Sequence, residues 1–323
     1  MPLKDFRIVF MGTPEFAVAI LKALYEAGVN IAAVVTAPDK PAGRGQKLQE
    51  SDVKRFAQSI SIPVLQPEKL KNPEFIKQLE SYQADLFVVV AFRMLPELVW
   101  SMPRHGTINL HASLLPQYRG AAPINWAIIN GESKSGVTTF FIEKDIDTGK
   151  IIYTDEVEIT ESDNAGTLHD KLMMAGTTII VKTVSGIASG NYPKIDQQSE
   201  GKTLKSAPKI FKEDCKINWN QDVINIYNVI RGLSPYPTAW TVFENTQTLE
   251  TLSAKIFEAD KETVDHNLKE GSILTDEKRY LKVAVKEGFL IIKTIQLEGK
   301  KRLGIEEFLR GFKDIRLFRL KVV

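Results

Sequence analysis

The sequence predicts an α/β domain with a mostly parallel sheet, followed by a small β-barrel domain. In the first part of the chain, short apolar runs alternate with segments of helical periodicity, the pattern of strands covered by helices. One run, residues 84–91 (ADLFVVVA), is almost continuously apolar, as expected for the buried middle of a parallel sheet. After residue 208, about five short β runs separated by turns indicate a barrel. We therefore predict a Rossmann-like sheet domain with a C-terminal OB-like barrel.

The first elements predict a βα unit. Residues 7–12 form an apolar strand, and residues 16–27 have the spacing of an amphipathic helix. Because Gly12 is the one glycine of the connecting turn, a GxGxxG dinucleotide site is poorly supported. Residues 31–36 predict the next strand. Residues 36–50 are interrupted by proline and glycine, so we predict a loop without periodic structure there.

The alternation of strands and helices then continues to a linker. Helices are predicted at residues 52–59, 73–82, 122–130 and 165–187, and strands at residues 62–65, 84–91, 137–142 and 151–159. Asp163 or Asn164 can cap the last of these helices. The next segment loses periodicity and is rich in Ser, Gly, Gln and Lys. We therefore expect domains at residues 1–190 and 208–323, joined by a linker at residues 191–207.

Composition indicates an ordinary globular protein. The 323 residues are 43% hydrophobic and 25% charged, and the net charge of +2 is the small difference between 42 basic and 40 acidic side chains. Cys215 is the only cysteine, which excludes an internal disulfide and a cysteine-based zinc site. We expect no stretch that approaches the length of a membrane-spanning helix. We expect a cytoplasmic protein without membrane association, and no metal, because the four histidines are dispersed.

Residues 106–120, GTINLHASLLPQYRG, carry the main candidate site. Asn109 and His111 alternate with apolar residues at the period of a strand, so both side chains should leave the same face. The strand is predicted to end near His111, and ligands of parallel sheets bind at the carboxyl ends of strands. The alternative is a buried Asn/His pair that is satisfied by backbone groups.

Asp147 is the third candidate, in an Asp-Thr-Gly turn that follows the predicted strand at residues 137–142. An Asp, a His and an Asn in one pocket suit attack by an amine on an acyl carbon. Asn109 and protonated His111 can donate hydrogen bonds to the developing oxyanion, while Asp147 can orient the His or accept the amine's proton through water. The alternative for Asp147 is an ordinary turn residue.

Four motifs together resemble the methionyl-tRNA formyltransferases: HASLLPQYRG at residues 111–120, AAPI at residues 121–124, the turn at Asp147, and PDKPAGRGQKL at residues 38–48. The resemblance runs from Phe10 to the C-terminus. The HASLLPQYRG motif and the turn at Asp147 are shared by folate-dependent formyltransferases in general, whereas the PAGRG loop and the second domain narrow the resemblance to the tRNA enzymes. It implies 10-formyltetrahydrofolate as donor and initiator methionyl-tRNA as acceptor, in an enzyme that we expect to be a monomer.

The resemblance also implies the roles of individual residues. The catalytic residues would be Asn109, His111 and Asp147, as the chemistry of the side chains also indicates. The tRNA contacts would be Arg44 foremost, with Lys40 and Lys47. The folate contacts would be Ser113, Leu114, Leu115, Pro116, Phe92, Met94 and Leu95. For Phe92 and Met94 the alternative is core packing.

The sequence departs from the family pattern at Phe92-Arg93, where relatives usually carry a Tyr-Gly type of pair in a loop that lines the folate pocket. The basic C-terminal segment, residues 299–323, is a separate feature, with 8 basic residues against 3 acidic ones and a net charge of +5. It fits either a solvated face or contacts to a tRNA backbone.

Three other functions compete with this interpretation. A formyltransferase acting on an aminosugar nucleotide would share the pocket motifs and would need no basic loop. A glycinamide ribonucleotide formyltransferase would need only the first domain. A noncatalytic RNA-binding protein on a dinucleotide-type fold would need neither folate nor Asp147.

Overall fold

The computed structural model describes residues 1–42, 47–198, 201 and 203–322 of the chain. The chain divides into two compact units. The first unit comprises Met1–Gly120, Ser135–Glu158 and His169–Ser206, and the second comprises Ala121–Lys134, Ile159–Leu168 and Ala207–Val323. Arg44 lies outside the described residues, and of Lys47 the backbone alone is described.

The strands alternate with helices in the first half of the chain and follow one another in the second half. The strands are β1 (Arg7–Gly12), β2 (Asn30–Val35), β3 (Lys40–Ala42), β4 (Lys47–Gln49), β5 (Val64–Leu65), β6 (Leu86–Val90), β7 (Thr107–His111), β8 (Arg119–Gly120), β9 (Lys134–Phe141), β10 (Ile151–Glu158), β11 (Ser206–Ala207), β12 (Ala239–Asn245), β13 (Thr251–Thr263), β14 (Ile273–Thr275), β15 (Leu281–Val285), β16 (Gly288–Leu297), β17 (Leu303–Gly304) and β18 (Phe318–Leu320).

The helices are α1 (Glu15–Glu26), α2 (Asp52–Ser59), α3 (Pro73–Ser81), α4 (Glu97–Trp100), α5 (Pro123–Ile129), α6 (Ala165–Ser189), α7 (Val223–Leu233) and α8 (Ile305–Gly311). Local signals explain several starts. Asn72 caps α3 by accepting from the Glu74 amide at 2.9 Å. Asn164 caps α6 by accepting from the Thr167 amide at 2.9 Å, while the Thr167 hydroxyl accepts from the Asn164 amide, a reciprocal capping box.

The first unit contains a seven-stranded, mostly parallel sheet in the order β10-β9-β7-β6-β1-β2-β5. From β5 to β7 every pair of neighbours is parallel, and β9 is antiparallel to β7. One core cluster joins inward side chains of β1, β2 and β6 to α3; it includes Met11, Val35, Phe87 and Phe75. The predicted fold class is therefore confirmed.

The carboxyl ends of the parallel strands meet at one edge of this sheet. Gly12 lies beside Val90, and Val90 lies beside Leu110, so the loops after β1, β6 and β7 leave the sheet together. Ligands of open parallel sheets bind at this edge. β9 behaves differently, because its last residue, Phe141, pairs with Ile108 near the start of β7.

The second unit contains an antiparallel sheet that closes almost completely into a barrel. Its order is β14-β15-β16-β13-β12-β18, with β17 paired to β16. The two ends of this order meet where the Leu320 amide donates to the Gly271 carbonyl at 2.9 Å, just before β14. Trp219 and Phe243 are fully buried in its core, against α7 and α8. The predicted C-terminal barrel is therefore confirmed.

Three sequence expectations need correction. The segment predicted to lack periodic structure contains the hairpin of β3 and β4, in which Lys40 pairs with Gln49. The barrel also contains elements that were not predicted, among them α8 and β18, and Phe312 packs between Phe308 of α8 and Phe318 of β18. Finally, α6 is long and apolar enough to cross a membrane by length and composition alone, with a mean hydropathy of 1.4. A core helix passes the same test, and Leu172, Ile180 and Val184 of α6 are fully buried.

We expect Trp219→Phe to lower the free energy of unfolding. The indole nitrogen of Trp219 donates to the Thr241 hydroxyl at 2.8 Å in the barrel core, so the substitution leaves a buried hydroxyl without its donor and costs about 1–3 kcal/mol. Thr241→Val should cost a similar amount, and the double variant less than the sum, because neither partner is then left alone. Urea unfolding followed by circular dichroism measures this, and additive losses would contradict it.

Candidate active site

Strand β7 ends at His111, as predicted, at the carboxyl edge of the parallel sheet. Asn109 lies between Val89 of β6 and Phe140 of β9, and His111 lies beside Thr138 of β9. Residues two apart on a strand share a face, so Asn109 and His111 project together. The Asn109 side chain is half-buried and makes no hydrogen bond within the described part of the chain, so its amide donors remain available to a ligand.

The His111 ring is held on both sides. It is 7% exposed, and Phe140 contacts it edge-on with 6.5 Å between ring centroids. Its Nε2 atom lies 2.9 Å from the Tyr118 carbonyl oxygen. Because a carbonyl can only accept, Nε2 carries the proton of this hydrogen bond. The other nitrogen, Nδ1, therefore faces the acidic partner of the site.

That partner is Asp147. Its Oδ2 atom accepts a hydrogen bond from the Gly120 amide at 2.9 Å and lies 3.9 Å from Nδ1 of His111. A carboxylate and a protonated imidazole at this separation form an ion pair. Asp147 has a left-handed backbone, with φ of 55°, which Asp adopts more readily than most residues. The structure thus brings His111 and Asp147 together, and Asn109 lies two residues away on the same face.

The position of Asp147 requires its turn to come back along β7. β9 ends beside Ile108, and His111 lies three residues further on, about 10 Å at roughly 3.3 Å per strand residue. Gly149 lets the turn pack tightly, because a Cβ there would lie 1.7 Å from the Phe141 carbonyl oxygen. Any other residue at position 149 would displace the turn.

The loop after β7 contains the predicted folate contacts Ser113 to Pro116, and a buried threonine organises it. Thr138 of β9 donates to the Ser113 carbonyl at 2.7 Å and accepts from the Leu115 amide at 3.2 Å. Ser113 is fully buried, and its hydroxyl donates to the Gln117 carbonyl at 2.7 Å. Leu115 is also buried, whereas Leu114 and Pro116, which follows a cis peptide bond, are half-buried.

The loop after β6 holds the other predicted folate contacts. Phe92 is half-buried against the sheet core and Leu95 is 8% exposed within it, whereas Met94 is 74% exposed. Arg93 donates to the carbonyls of Pro67 and Glu68 at 2.8 and 3.1 Å, which ties this loop to the segment after β5. Burial lowers the pKa of the Arg93 guanidinium, whose Nε has no partner among the described residues.

Ion pairs hold the two ends of the candidate tRNA loop. Lys54 of α2 contacts Asp39 at 2.5 Å and Glu50 at 2.8 Å, the two acidic residues that flank the loop. The hydrogen bond from Lys54 lowers the pKa of the Asp39 carboxyl. Both acids are thus engaged by a residue outside the loop, and Lys40 within it is exposed.

The C-terminal cations are partly neutralised by acids of the barrel. Arg319 contacts Glu244 at 2.6 Å, Arg316 contacts Glu277 at 3.3 Å and Arg302 contacts Glu258 at 3.4 Å. The net charge of this segment therefore overstates its attraction for a phosphate backbone. Among the described residues, no group of three or more His, Cys, Asp or Glu side chains can hold a metal ion.

Two residues that shape the site escaped the sequence analysis. Thr138 organises the loop after β7 because its strand, β9, pairs with β7. No local pattern in the sequence reveals this pairing. Gln197 bonds to the Asp147 turn from a segment without periodicity, and nothing in its neighbourhood of the sequence marks it.

Comparisons with known proteins agree with this geometry. The formyl transferase family matches residues 6–184, and the formyl transferase C-terminal domain matches residues 209–313. A sugar 3N-formyl transferase, WlaRD, has a similar structure, with a TM-score of 0.61 at 21% identity over 92% of this chain and 99% of that one. Glycinamide ribonucleotide transformylase 1 from Symbiobacterium toebii has a TM-score of 0.51 at 19% identity over 59% of this chain and 94% of that one. The two family matches together identify the chain as a formyltransferase.

Full-length relatives make the assignment narrower. The methionyl-tRNA formyltransferase of Bacteroides fragilis is 53% identical over 325 residues, covering 100% of both chains. That of Parabacteroides distasonis is 54% identical over 319 residues, 98% of each chain, and that of Flavobacterium johnsoniae is 48% identical over 309 residues, 96% of this chain and 97% of its own. The chain belongs to the methionyl-tRNA formyltransferase family.

We expect Thr138→Val to reduce formyl transfer. Valine keeps the shape of threonine but leaves the Ser113 carbonyl and the Leu115 amide unpaired, which costs about 1–3 kcal/mol and loosens the loop. Thr139→Val is a matched control, because Thr139 is equally buried and bonds to the Thr183 hydroxyl at 2.9 Å. Both variants should lose stability, and Thr138→Val alone should lose kcat/KM. Equal kcat/KM in the two variants would contradict this.

Proposed function

We propose that this protein transfers a formyl group from 10-formyltetrahydrofolate to the α-amino group of methionine on initiator tRNA, for the start of translation. The observation that carries the proposal is the full-length identity of about one half with methionyl-tRNA formyltransferases, across both units. The sugar formyltransferase is similar in fold at 21% identity, so it gives no comparable support for a sugar acceptor.

In the proposed reaction, the α-amino nitrogen of methionine attacks the formyl carbon of 10-formyltetrahydrofolate, the bond between that carbon and N10 breaks, and tetrahydrofolate leaves. N10 takes up one proton in place of the proton that the amine loses. The Asn109 amide and the Nδ1–H group of protonated His111 donate hydrogen bonds to the formyl oxygen as negative charge develops on it, because Nε2 of His111 is engaged with the Tyr118 carbonyl. Their common face at the end of β7 supports this role. The His111 ring is already held by Tyr118 and Phe140, so it needs little reorganisation when the amine attacks.

Asp147 has two tasks in this mechanism. Its carboxylate lies beside Nδ1 and orients the His111 ring, and it helps to remove the proton of the attacking amine, directly or through water. The Gly120 amide engages Oδ2, and Oδ1 accepts no hydrogen bond from the residues that the structure describes. One oxygen thus holds the side chain while the other is available as a proton acceptor.

The proposed site for the formyl donor is the edge formed by the loops after β6 and β7. These loops leave the sheet side by side and carry the half-buried apolar residues Phe92, Leu114 and Pro116, whereas Leu115 packs in the core with Phe140. An apolar slot with a few directed donors suits a flat heterocycle with a polar edge. Met94, exposed at this edge, and the backbone at Ser113 and Leu95 complete the proposed folate contacts.

The basic loop is the proposed contact for the tRNA. Arg44 is its principal residue, and Lys40 and Lys47 contact phosphates. The pairing of Asp39 and Glu50 with Lys54 supports this role, because it neutralises the two acidic residues that flank the loop. We further propose that residues 1–190 catalyse the reaction, that residues 208–323 bind the tRNA, and that residues 191–207 link them. The enzyme acts as a monomer in the cytoplasm, where initiator tRNA is charged.

The deciding experiment compares three acceptors with 10-formyltetrahydrofolate as donor: methionine-charged initiator tRNA, the charged elongator tRNA and an aminosugar nucleotide. Formylation of the initiator tRNA alone is expected. Formylation of the sugar alone would overturn the acceptor and the function of the Arg44 loop, while leaving the chemistry of Asn109, His111 and Asp147 in place. Absence of folate binding and turnover would favour the noncatalytic RNA-binding alternative.

We expect Asn109→Ala and His111→Ala each to lower kcat by on the order of 10² to 10³, because removing one donor to a developing oxyanion typically costs that much. Single-turnover formyl transfer at saturating tRNA measures the chemical step. A variant of either residue with near-full turnover would remove that residue from the mechanism.

We expect Arg44→Ala to raise KM for methionyl-tRNA by about tenfold or more while sparing slow formylation of a small amine acceptor, because one phosphate or base contact is lost. Arg104→Ala is a suitable control, since Arg104 is exposed and precedes the opposite end of β7. A uniform loss on both acceptors would show instead that the loop supports the catalytic residues.

A further inference from the structure

Gln197 connects two segments of the candidate active site through one carboxamide. Its Nε2 atom donates to the Asp147 carbonyl at 2.9 Å and to the Gly149 carbonyl at 2.8 Å. Its Oε1 atom accepts from Nε and from a terminal nitrogen of Arg119, at 3.1 and 2.6 Å. Both N–H groups and both lone pairs of the amide are therefore used.

The hydrogen bonds also fix which way the amide faces. In the reversed orientation its oxygen would lie against two carbonyl oxygens, and its NH₂ group would lie against a guanidinium that has no acceptor. The main chain that carries Gln197 is anchored as well, because Ile195 and Ile151 exchange backbone hydrogen bonds at 2.8 and 2.9 Å. The four hydrogen bonds and the anchored main chain therefore hold the Gln197 side chain in one position.

The hydrogen bonds of Gln197 complete a ring of contacts around Asp147. Arg119, which holds the oxygen of Gln197, is followed directly by Gly120, whose amide donates to the Asp147 carboxylate. The nitrogen of Gln197 holds the main chain of Asp147 itself. The turn is outside regular structure, has a left-handed residue at its tip and must come back along β7, so it needs such external support.

We propose that Gln197 is a positioning residue that fixes the Asp147 turn against Gly120 and His111, with Arg119 as its support. This inference rests on the proposed role of Asp147 in formyl transfer. Gln197 lies between the two regions that match known families, residues 6–184 and 209–313, within the segment predicted from the sequence to be a linker. That segment thus contributes to the active site besides joining the two parts of the chain.

The test compares Gln197→Met, which keeps the length of the side chain and removes all four hydrogen bonds, with Gln197→Glu, which keeps acceptors for Arg119 and loses both donors. Each should lower kcat by on the order of tenfold or more, with KM for the formyl donor changed less than about twofold, because a displaced catalytic group affects the chemical step. The matched control is Gln198→Met, since Gln198 is exposed and makes no side-chain hydrogen bond within the described residues.

A double-mutant cycle separates positioning from general support of the fold. If Gln197 acts through Asp147, then Gln197→Met changes kcat by less than about twofold once Asp147→Asn is present. Equal losses in both backgrounds, or full turnover in Gln197→Met, would overturn the inference. Full turnover in Asp147→Asn alone would overturn the proposed role of Asp147, which is a separate failure.

Hydrogen exchange provides a readout that needs no turnover. The Gly120 amide is bonded to the Asp147 carboxylate, so its exchange in the substrate-free protein reports whether the turn is in place. We expect faster exchange at Gly120 in Gln197→Met and Gln197→Glu, and wild-type exchange in Gln198→Met. Unchanged exchange in both Gln197 variants would show that the Asp147 turn keeps its conformation without Gln197, and would overturn the inference.

Discussion

The hydrogen bond from the Gly120 amide to the Asp147 carboxylate is the contact on which the site depends, because it joins the loop after β7 to the turn after β9. A carboxylate that accepts from a backbone amide gains a strong, directional partner that does not move with a side chain. The Asp147 carboxylate can then remain beside His111 instead of turning toward solvent. The opposite side of the ring is fixed in the same manner, by the carbonyl of Tyr118.

The two loops that meet here obtain their shapes from residues in unusual backbone conformations. Tyr118 and Asp147 both have positive φ, 59° and 55°, and Gly149 occupies space that no side chain could share with Phe141. Such conformations cost free energy that surrounding contacts must offset. Thr138 and Gln197 provide those contacts from β9 and from the segment after α6, so the geometry of the candidate site depends on residues outside it.

The sequence predicted what local periodicity determines. The alternation around Asn109 and His111 and the apolar run of β6 identified both strands, and the candidate site was predicted at the edge where they end. Pairing between segments that are distant in the sequence could not be predicted from local periodicity. The antiparallel register of β9, the hairpin of β3 and β4, and the amide of Gln197 each depend on a partner far along the chain. β18 was missed because it has three residues and depends on its pairing with β12, whereas Ile305, Phe308 and Leu309 of α8 have helical spacing that could have identified that helix.

The closure of the barrel has a consequence for how the second unit folds. β18 completes the sheet by pairing with β12, and Arg319 and Glu244 at this junction are 75 residues apart. Contacts of such long range require a large loss of chain entropy before they form, which slows folding. Until residues 318–320 dock, β12 has an open edge that can pair with another chain. During synthesis this edge stays unprotected until almost the whole unit has left the ribosome, and that interval is when the protein is most exposed to aggregation.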